Sequence, residues 1–271
     1  MWNWNIKIAG ILNITEDSFS DGGEYLSLEK AEEKMWDLLQ QGADVVDVGA
    51  VSSNPKGKDV PIEEEIRRLQ PILEIAKKNQ IPISVDTWRF ETQRFCLEYH
   101  VDFINDITGF SHPEIFSLLK DTETKCIVMH QVSNNPGKAD PTYEIEFDKL
   151  WQQMIQFFDK KIEQFLSHGI SEDRILLDPG MGFFLGKDYL HSFRMINLLP
   201  ELKKRYKKAI YVSVSRKSFL GVAAGIENPK DRDYATLACE IALLSKNIDW
   251  IRTHQPKALR DAIKVLKHIQ I

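Results

Sequence analysis

The chain alternates between short apolar runs and longer segments in which apolar residues recur every three or four positions. The apolar runs show no strict alternation with polar residues, which is typical of parallel strands buried on both faces. We predict eight strands, within KIAGILN from Lys7, DVVDVGA from Asp44, IPISVDT from Ile81, VDFINDI from Val101, KCIVMH from Lys125, RILLDPG from Arg174, AIYVSVS from Ala209 and IDWIRTH from Ile248.

The segments between these runs have the periodicity of amphipathic helices. The first is predicted to begin with Ser27 as its N-cap and to end at Gly42. The second covers residues 62–80, where Pro71 is expected to kink the helix or to mark a restart. A long helix is predicted over 146–169, and the most apolar helix over 232–247.

Eight strand-helix units in 271 residues have the size and rhythm of a (β/α)8 TIM barrel. The competing interpretation is an open doubly wound sheet, which rarely needs eight parallel strands in so short a chain. No shift in composition and no Gly/Ser linker divides the sequence. We therefore expect a single α/β domain over residues 1–271.

Composition argues against several classes of binding partner. The formal net charge of −5 argues against a general nucleic-acid binder, which would be basic. No apolar run approaches the roughly 18 residues that span a bilayer, and the amino terminus lacks the features of a signal peptide. Three scattered cysteines are too few for a disulfide framework or a zinc site. We expect free buried thiols and a cytoplasmic protein without membrane or nucleic-acid partners.

Nearly every predicted strand ends in a polar side chain. A single Asp or Asn at such a place is usually a helix cap. In a barrel, however, the carboxyl ends of all strands share one face, where active sites lie, so these residues predict one shared polar crevice. In strand order they are Asn13, Asp47, Asp86, Asn105 with Asp106, His130, Asp178, Ser213 with residues 215–218, and Arg252 with His254.

Two chemistries are combined in this crevice. Asp86, Asn105, Asp178 and Lys217 offer donors, acceptors and one positive charge, which suits a flat heterocycle with amide and amine edges. Across the crevice, strands one and eight are neighbours in a closed barrel, and cations there suit phosphate groups. The anion-binding residues are Asn13, Arg252 and His254, and Asn13 with Asp17 offers oxygen ligands for a divalent cation.

Residues 10–23, GILNITEDSFSDGG, resemble the signature opening of the dihydropteroate synthases, the folate-pathway enzymes inhibited by sulfonamides. Further blocks agree in order: VDVGA with NP after it, PISVDT, FINDITG, CIVMH, ILLDPGMGF, VSVSRKSFLG and IRTH. The resemblance extends from Ile8 to Leu266. It implies a TIM-barrel transferase that condenses 6-hydroxymethyl-7,8-dihydropterin pyrophosphate with p-aminobenzoate to give 7,8-dihydropteroate and pyrophosphate.

The resemblance also implies a role for each matching residue. It implies that Asp86, Asn105, Asp178 and Lys217 bind the pterin ring, with Met129 and Phe183 as apolar walls. It implies that Asn13 meets Mg²⁺ and the pyrophosphate, and that Arg252 and His254 bind the pyrophosphate. Ser53 and Ser218 are implied on the p-aminobenzoate side. His130 and His100 are expected to be structural or peripheral.

The resemblance implies a mechanism without a protein nucleophile. Asp86, Asp178 and Lys217 act on the reacting ring, while Mg²⁺, Arg252 and His254 stabilise the departing pyrophosphate. Residues 14–23 would form a loop that closes over the reacting centre, with Phe19 capping it against water. A homodimer packed through late helices, such as the segment 237–244, is also implied.

Departures from the family pattern keep other functions open. The second loop reads GAVSSNP, so Ser53 stands for the usual threonine and Asn54 for the usual arginine, while Lys56 or Lys58 could supply the missing charge. Glu16 replaces a usual proline. One alternative is a related enzyme that couples the pterin pyrophosphate to a different amine. The other is a pterin-binding barrel without turnover, against which the retained pyrophosphate ligands argue.

Overall fold

Eight parallel strands close into a barrel in which each strand pairs with its neighbours in sequence and β8 pairs with β1. The computed structural model describes residues 2–14, 24–53, 57, 59–133, 135 and 137–269. The strands are β1 Lys7–Asn13, β2 Val45–Gly49, β3 Ile83–Asp86, β4 Phe103–Asp106, β5 Lys125–Met129, β6 Ile175–Asp178, β7 Ala209–Ser213 and β8 Trp250–Thr253.

Helices follow the strands and form the outer layer. They are α1 Glu24–Gln40, α2 Ile62–Asn79, α3 Phe90–Leu97, α4 Ile115–Lys120, α5 Phe147–Ser167, α6 Leu190–Tyr206, α7 Ser218–Ala224, α8 Asp233–Leu243 and α9 Pro256–Ile269. Short 3-10 turns cover Glu172–Arg174, Gly182–Leu185 and Pro229–Asp231. The predicted fold class and all eight predicted strands are confirmed.

Side chains close the amino-terminal end of the barrel. Phe103 and Trp250 meet edge to face, with ring centres 5.2 Å apart. Further apolar residues pack around them inside the barrel, namely Ala9, Val45, Ile127, Leu176 and Tyr211. The barrel is therefore a filled core at this end, and its polar residues are left at the carboxyl-terminal end.

One prediction about a helix start was wrong. The first helix begins at Glu24, so Ser27 lies inside it and is not its N-cap. The second helix continues through Pro71, so the expected alternative of a restart is absent, and a kink at Pro71 stays a prediction. Proline costs a helix one hydrogen bond, but Leu69, Ile72 and Leu73 are buried on the same helix, and tertiary packing of this kind stabilises helices more than local propensity does.

The three cysteines are free, as the composition predicts. Cys96 and Cys126 are buried free thiols, and Cys239 is free and half-buried. In the described part of the chain, no helix is long and apolar enough to cross a membrane.

Candidate active site

Arg252 links two carboxylates at the centre of the barrel mouth. Its Nε donates to Asp47 Oδ2 at 2.5 Å, and its Nη2 donates to Asp86 Oδ2 at 2.9 Å. Asp47 is fully buried, whereas the side chains of Arg252 and Asp86 keep 15% and 22% of their surface exposed. The arginine is thus held from below by Asp47, and it reaches the open crevice beside Asp86.

Strands β3 to β6 bring three more predicted residues to the same crevice. Asn105 lies beside Asp86 in the β3–β4 register, and Met129 lies beside Asp178 in the β5–β6 register. Asp178 Oδ1 accepts the backbone N–H of Gly180 at 2.8 Å. The amide oxygen of Asn105 is buried and has no partner among the described residues. A buried acceptor without a donor is costly, so this oxygen points to a ligand that carries an N–H or O–H group.

Lys217 completes the polar set from the loop after β7. Its ammonium group donates to the carbonyl of Met181 at 3.1 Å and lies 4.7 Å from the centre of the Phe184 ring. Phe184 belongs to a buried apolar cluster with Met129 and Ile107. The lysine is therefore fixed against an aromatic wall instead of extending into solvent.

Burial shifts the pKa values of three groups that face the crevice, Asp86, Asp178 and Lys217. Burial raises the pKa of Asp86 to about 7, although the charge of Arg252 opposes this rise. Burial also raises the pKa of Asp178 to about 6, against the opposing charge of Lys217. Burial lowers the pKa of Lys217 to about 8. Three groups in one cleft with pKa values shifted toward neutral pH are typical of a functional site.

Arg252 remains a cation despite its burial. Burial by itself lowers its pKa, but the charges of Asp47 and Asp86 outweigh that effect and raise the pKa above its ordinary value. Two carboxylates surround a single guanidinium. The net charge of this part of the crevice therefore depends on whether Asp86 is ionised and on which group Asp86 pairs with.

His254 lies at the rim above Arg252. Its Nδ1 forms a hydrogen bond of 2.8 Å with Ser215 Oγ, which also accepts the backbone N–H of His254 at 3.3 Å. Burial, aided by the charges of Arg216 and Arg252, lowers the pKa of His254 to about 3. The imidazole is therefore neutral at physiological pH, and it can offer a hydrogen bond but no positive charge.

Asn13 is exposed at the carboxyl end of β1, beside Gly49 of β2. A Cβ built on Gly49 would lie 3.5 Å from the Cβ of Asp86 and 3.9 Å from Asn13 Oδ1, so both side chains lie next to Gly49. Within the described ranges, no three His, Cys, Asp or Glu side chains are grouped to hold a metal ion. The amide oxygen of Asn13 fits Mg²⁺, which often uses one or two protein ligands together with water and substrate phosphates.

Loops after β2 and β5 meet at the other rim. The carbonyl of Ser53 accepts the backbone N–H of Ala139 at 3.1 Å. Lys138 donates to Asp59 Oδ1 at 2.5 Å and to the carbonyl of Gly57 at 3.1 Å. The Ser53 side of the crevice is thus tied to the β5 loop through both backbone and side-chain contacts.

The coordinates gather most of the predicted site residues around one crevice. Asp86, Asn105, Met129, Asp178, Lys217 and Arg252 meet at its centre, and Asn13, Ser53, Ser218 and His254 follow or end the neighbouring strands. Ser218 begins α7 and is half-buried. The convergence supports the predicted crevice, while the individual roles stay predictions.

The crevice contains residues to which the sequence assigns no role. Some of the residues that the sequence singles out lie away from the crevice. Phe183 is half-buried, and it is its neighbour Phe184 that packs against Met129 and Lys217. The sequence marks Asp47 only as a polar strand end, because its partner Arg252 is 205 residues away along the chain. His130 is buried, with its ring 5.4 Å from that of Phe157. His100 is exposed at the amino-terminal side, before β4.

Several predicted features lie outside the described residues. These are residues 15–23 of the first loop, with Glu16, Asp17 and Phe19, and the positions Asn54, Lys56 and Lys58 of the second loop.

Comparison with known proteins shows which family the chain is similar to. Residues 9–254 match a family model described as pterin binding enzyme. The chain is 45% identical to dihydropteroate synthase type-3 of Escherichia coli over 96% of this chain and 98% of that protein.

Solved structures agree with the family match. The fold is similar to that of Xanthomonas albilineans dihydropteroate synthase with 4-aminobenzoic acid, with a TM-score of 0.87, 28% identity, and coverage of 98% of this chain and 93% of the other. The same enzyme in complex with 7,8-dihydropteroate gives a TM-score of 0.83 at 28% identity, covering 98% of this chain and 94% of the other.

Proposed function

Because this chain belongs to the dihydropteroate synthases of the pterin binding enzyme family, we propose that its barrel mouth joins 6-hydroxymethyl-7,8-dihydropterin pyrophosphate to p-aminobenzoate. The products are 7,8-dihydropteroate and pyrophosphate. One observation carries the proposal: Asp86, Asn105, Asp178 and Lys217 converge beside Arg252, so ring-binding and anion-binding groups share a single crevice.

The pterin ring fits the polar half of this crevice. A pterin presents an amino group, ring N–H groups and a carbonyl oxygen. Asn105 Oδ1, the two aspartates and the Lys217 ammonium offer the complementary acceptors and donor. Met129 and Phe184 supply a flat apolar wall. Because each buried polar group needs a partner, the crevice discriminates against rings that lack matching edges.

The pyrophosphate lies on the opposite side in this proposal, near the ends of β1 and β8. Among the described residues, Arg252 forms its side-chain hydrogen bonds through Nε and Nη2, which leaves Nη1 and one proton of Nη2 for the phosphates. Neutral His254 donates a hydrogen bond from Nε2, with Nδ1 engaged by Ser215. Asn13 would hold Mg²⁺, which when bound would neutralise part of the charge on the phosphates.

In the reaction, the C–O bond between the pterin C6 methylene and pyrophosphate breaks, and the bonding electrons leave with the oxygen. The arylamine nitrogen then forms a bond to the same methylene carbon and releases a proton. Ionised Asp86 and Asp178 stabilise positive charge on the ring, and Arg252 stabilises the departing anion. No side chain is required as a nucleophile.

For p-aminobenzoate, the proposed side is the rim formed by Ser53 and Ser218. Ser218 Oγ would lie 3.5 Å from a Cβ built on Gly182, so it faces the same 3-10 turn as Lys217. Ser53 is held by the β5 loop through Ala139. A hydroxyl at each position offers hydrogen bonds to a carboxylate.

The direct test is pyrophosphate release from purified protein with the pterin substrate and Mg²⁺. Release that requires p-aminobenzoate, together with formation of dihydropteroate, supports the proposal. Lys217→Met and Arg252→Met should each abolish release, whereas Lys264→Met, at an exposed residue of α9, serves as the matched control. Binding of pterin without release under these conditions would contradict the proposed reaction.

We also propose that the protein is a cytoplasmic homodimer packed through its late helices. Val222 of α7 is 60% exposed and Tyr234 of α8 is 88% exposed, so both side chains are available for contact with a second copy of the chain. Light scattering on the wild type and on Tyr234→Glu would test this, with a shift from dimer to monomer as the expected result. A wild-type monomer would contradict it.

A further inference from the structure

Asp47 is a buried carboxylate whose role is not explained by the reaction. It is fully buried, in the middle of β2. Among the described residues, its one side-chain hydrogen bond is the 2.5 Å bond to Arg252 Nε. Its other oxygen, Oδ1, and the buried hydroxyl groups of Ser84 and Tyr211 have no hydrogen-bond partner within the described part of the chain. The one described side-chain partner of Asp47 is therefore Arg252.

In the proposed function, Asp86 binds the pterin ring and Arg252 binds the pyrophosphate. The hydrogen bond between these two side chains conflicts with that division of roles. Arg252 Nη2 donates to Asp86 Oδ2 at 2.9 Å in the absence of substrate. If Asp86 accepts a hydrogen bond from the pterin ring, that contact weakens or breaks. Arg252 must nevertheless stay in place to receive the pyrophosphate, and a buried guanidinium left without any carboxylate partner is strongly disfavoured.

We propose that Asp47 is the permanent counterion of Arg252 and a positioning residue of the enzyme, which holds the guanidinium while Asp86 transfers from Arg252 to the pterin ring. This inference rests on the proposed function. Asp47 acts only through Arg252, because it is buried beneath the arginine and offers the substrate no exposed atom.

The geometry separates the two carboxylates into a fixed and an exchangeable partner. Asp47 engages Nε, the least mobile nitrogen of the side chain, and it is fully buried. Asp86 engages the terminal Nη2 and keeps 22% of its side chain exposed to the crevice. Loss of Asp47 would leave Arg252 with Asp86 as its sole partner, so the arginine and the pterin ring would compete for one carboxylate.

The test uses Asp47→Asn, which keeps the shape and removes the charge. Two quantities are measured: the affinity for 6-hydroxymethyl-7,8-dihydropterin, which carries no phosphate, and the Michaelis constants of both substrates. We expect the pterin affinity to fall at least about tenfold and the KM for pterin pyrophosphate to rise similarly, with the KM for p-aminobenzoate unchanged.

Asp44→Asn is the matched control. Asp44 also pairs with an arginine, Arg260, at 2.5 Å, but at the amino-terminal end of the same barrel. This variant should keep both Michaelis constants within about twofold of the wild-type values.

A double-mutant cycle with Arg252→Met decides whether Asp47 acts through the arginine. In the Arg252→Met background, adding Asp47→Asn should change the pterin affinity by less than about twofold. An equal loss in both backgrounds would overturn the inference, as would wild-type constants in folded Asp47→Asn.

A folding defect is also informative. If Asp47→Asn fails to fold, the double variant should fold, because it removes both buried charges; failure of both would assign Asp47 a role independent of Arg252 and overturn the inference. Absence of pterin binding by the wild type would instead contradict the proposed function, so the two failures are distinguishable.

Discussion

The ammonium group of Lys217 lies 4.7 Å from the centre of the Phe184 ring and donates a hydrogen bond to the Met181 carbonyl. A cation over an aromatic face is stabilised by the quadrupole of the ring, by about 0.5–2 kcal/mol as desolvation increases. Phe184 therefore fixes the donor that the proposed function places against the pterin ring.

Replacing this ring should affect pterin binding. In Phe184→Leu, the ring is lost while an apolar side chain is kept, and we expect the KM for pterin pyrophosphate to rise about three- to tenfold. Phe184→Tyr keeps the ring and is the matched control, with a change below about twofold. Steady-state kinetics with saturating p-aminobenzoate measures both. Equal effects of the two variants would contradict a role for the ring face.

The raised pKa of Asp178 predicts a stability change of definite sign. Between about pH 4 and 6 the folded protein retains a proton that the unfolded chain has released, so this carboxyl increasingly destabilises the fold as pH rises through that interval. The difference in free energy of unfolding between Asp178→Asn and the wild type should therefore shift in favour of the variant from pH 4 to pH 7.5, by about 1 kcal/mol. Urea denaturation at the two pH values checks this, and an identical difference at both would refute it. Turnover should be lost.

Reaction rate should also depend on pH through the same groups. Stabilising a positive ring requires ionised Asp86 and Asp178, whose pKa values lie at about 7 and 6, so kcat/KM should fall as pH decreases below 7. Donation from Lys217, with a pKa of about 8, should be lost at higher pH. The pH profile of Lys217→Arg should lack the alkaline fall at whatever activity it retains. An unchanged alkaline limb would exclude Lys217 as its source.

Gly180 is predicted to be required for the orientation of Asp178. Its φ of +73° is left-handed, and a Cβ there would lie 2.5 Å from the His130 carbonyl oxygen. Gly225 has a φ of +69°, and a Cβ built there would meet nothing within 4 Å. Gly225→Ala therefore measures the backbone strain alone, about 1 kcal/mol.

Gly180→Ala should cost clearly more than Gly225→Ala in thermal denaturation, because a backbone atom must move. It should also weaken pterin binding, since the Gly180 N–H is the donor that holds Asp178 Oδ1. Equal destabilisation by the two alanine variants would show that the His130 contact is relieved without cost.

The sequence by itself determined the strands, the barrel and the edge at which the site lies. Each of these follows from local information. A parallel strand must be apolar on both faces, and in a barrel every strand delivers its last residues to the same face, so KIAGILN and seven similar runs already imply the crevice. The motif blocks then identified the family, because they coincide with these strands and follow the same order along the chain.

Tertiary structure decided what local patterns do not encode. The Asp47–Arg252 contact depends on side-chain reach across a closed barrel, and nothing around residue 47 or 252 specifies the partner. Neighbouring Phe183 and Phe184 have the same local preference, and only the packing of the turn selects which ring lies under Lys217. Likewise, α2 accommodates Pro71 because its apolar face is buried. Pairing and ionisation depend on burial, and burial is a property of the whole fold.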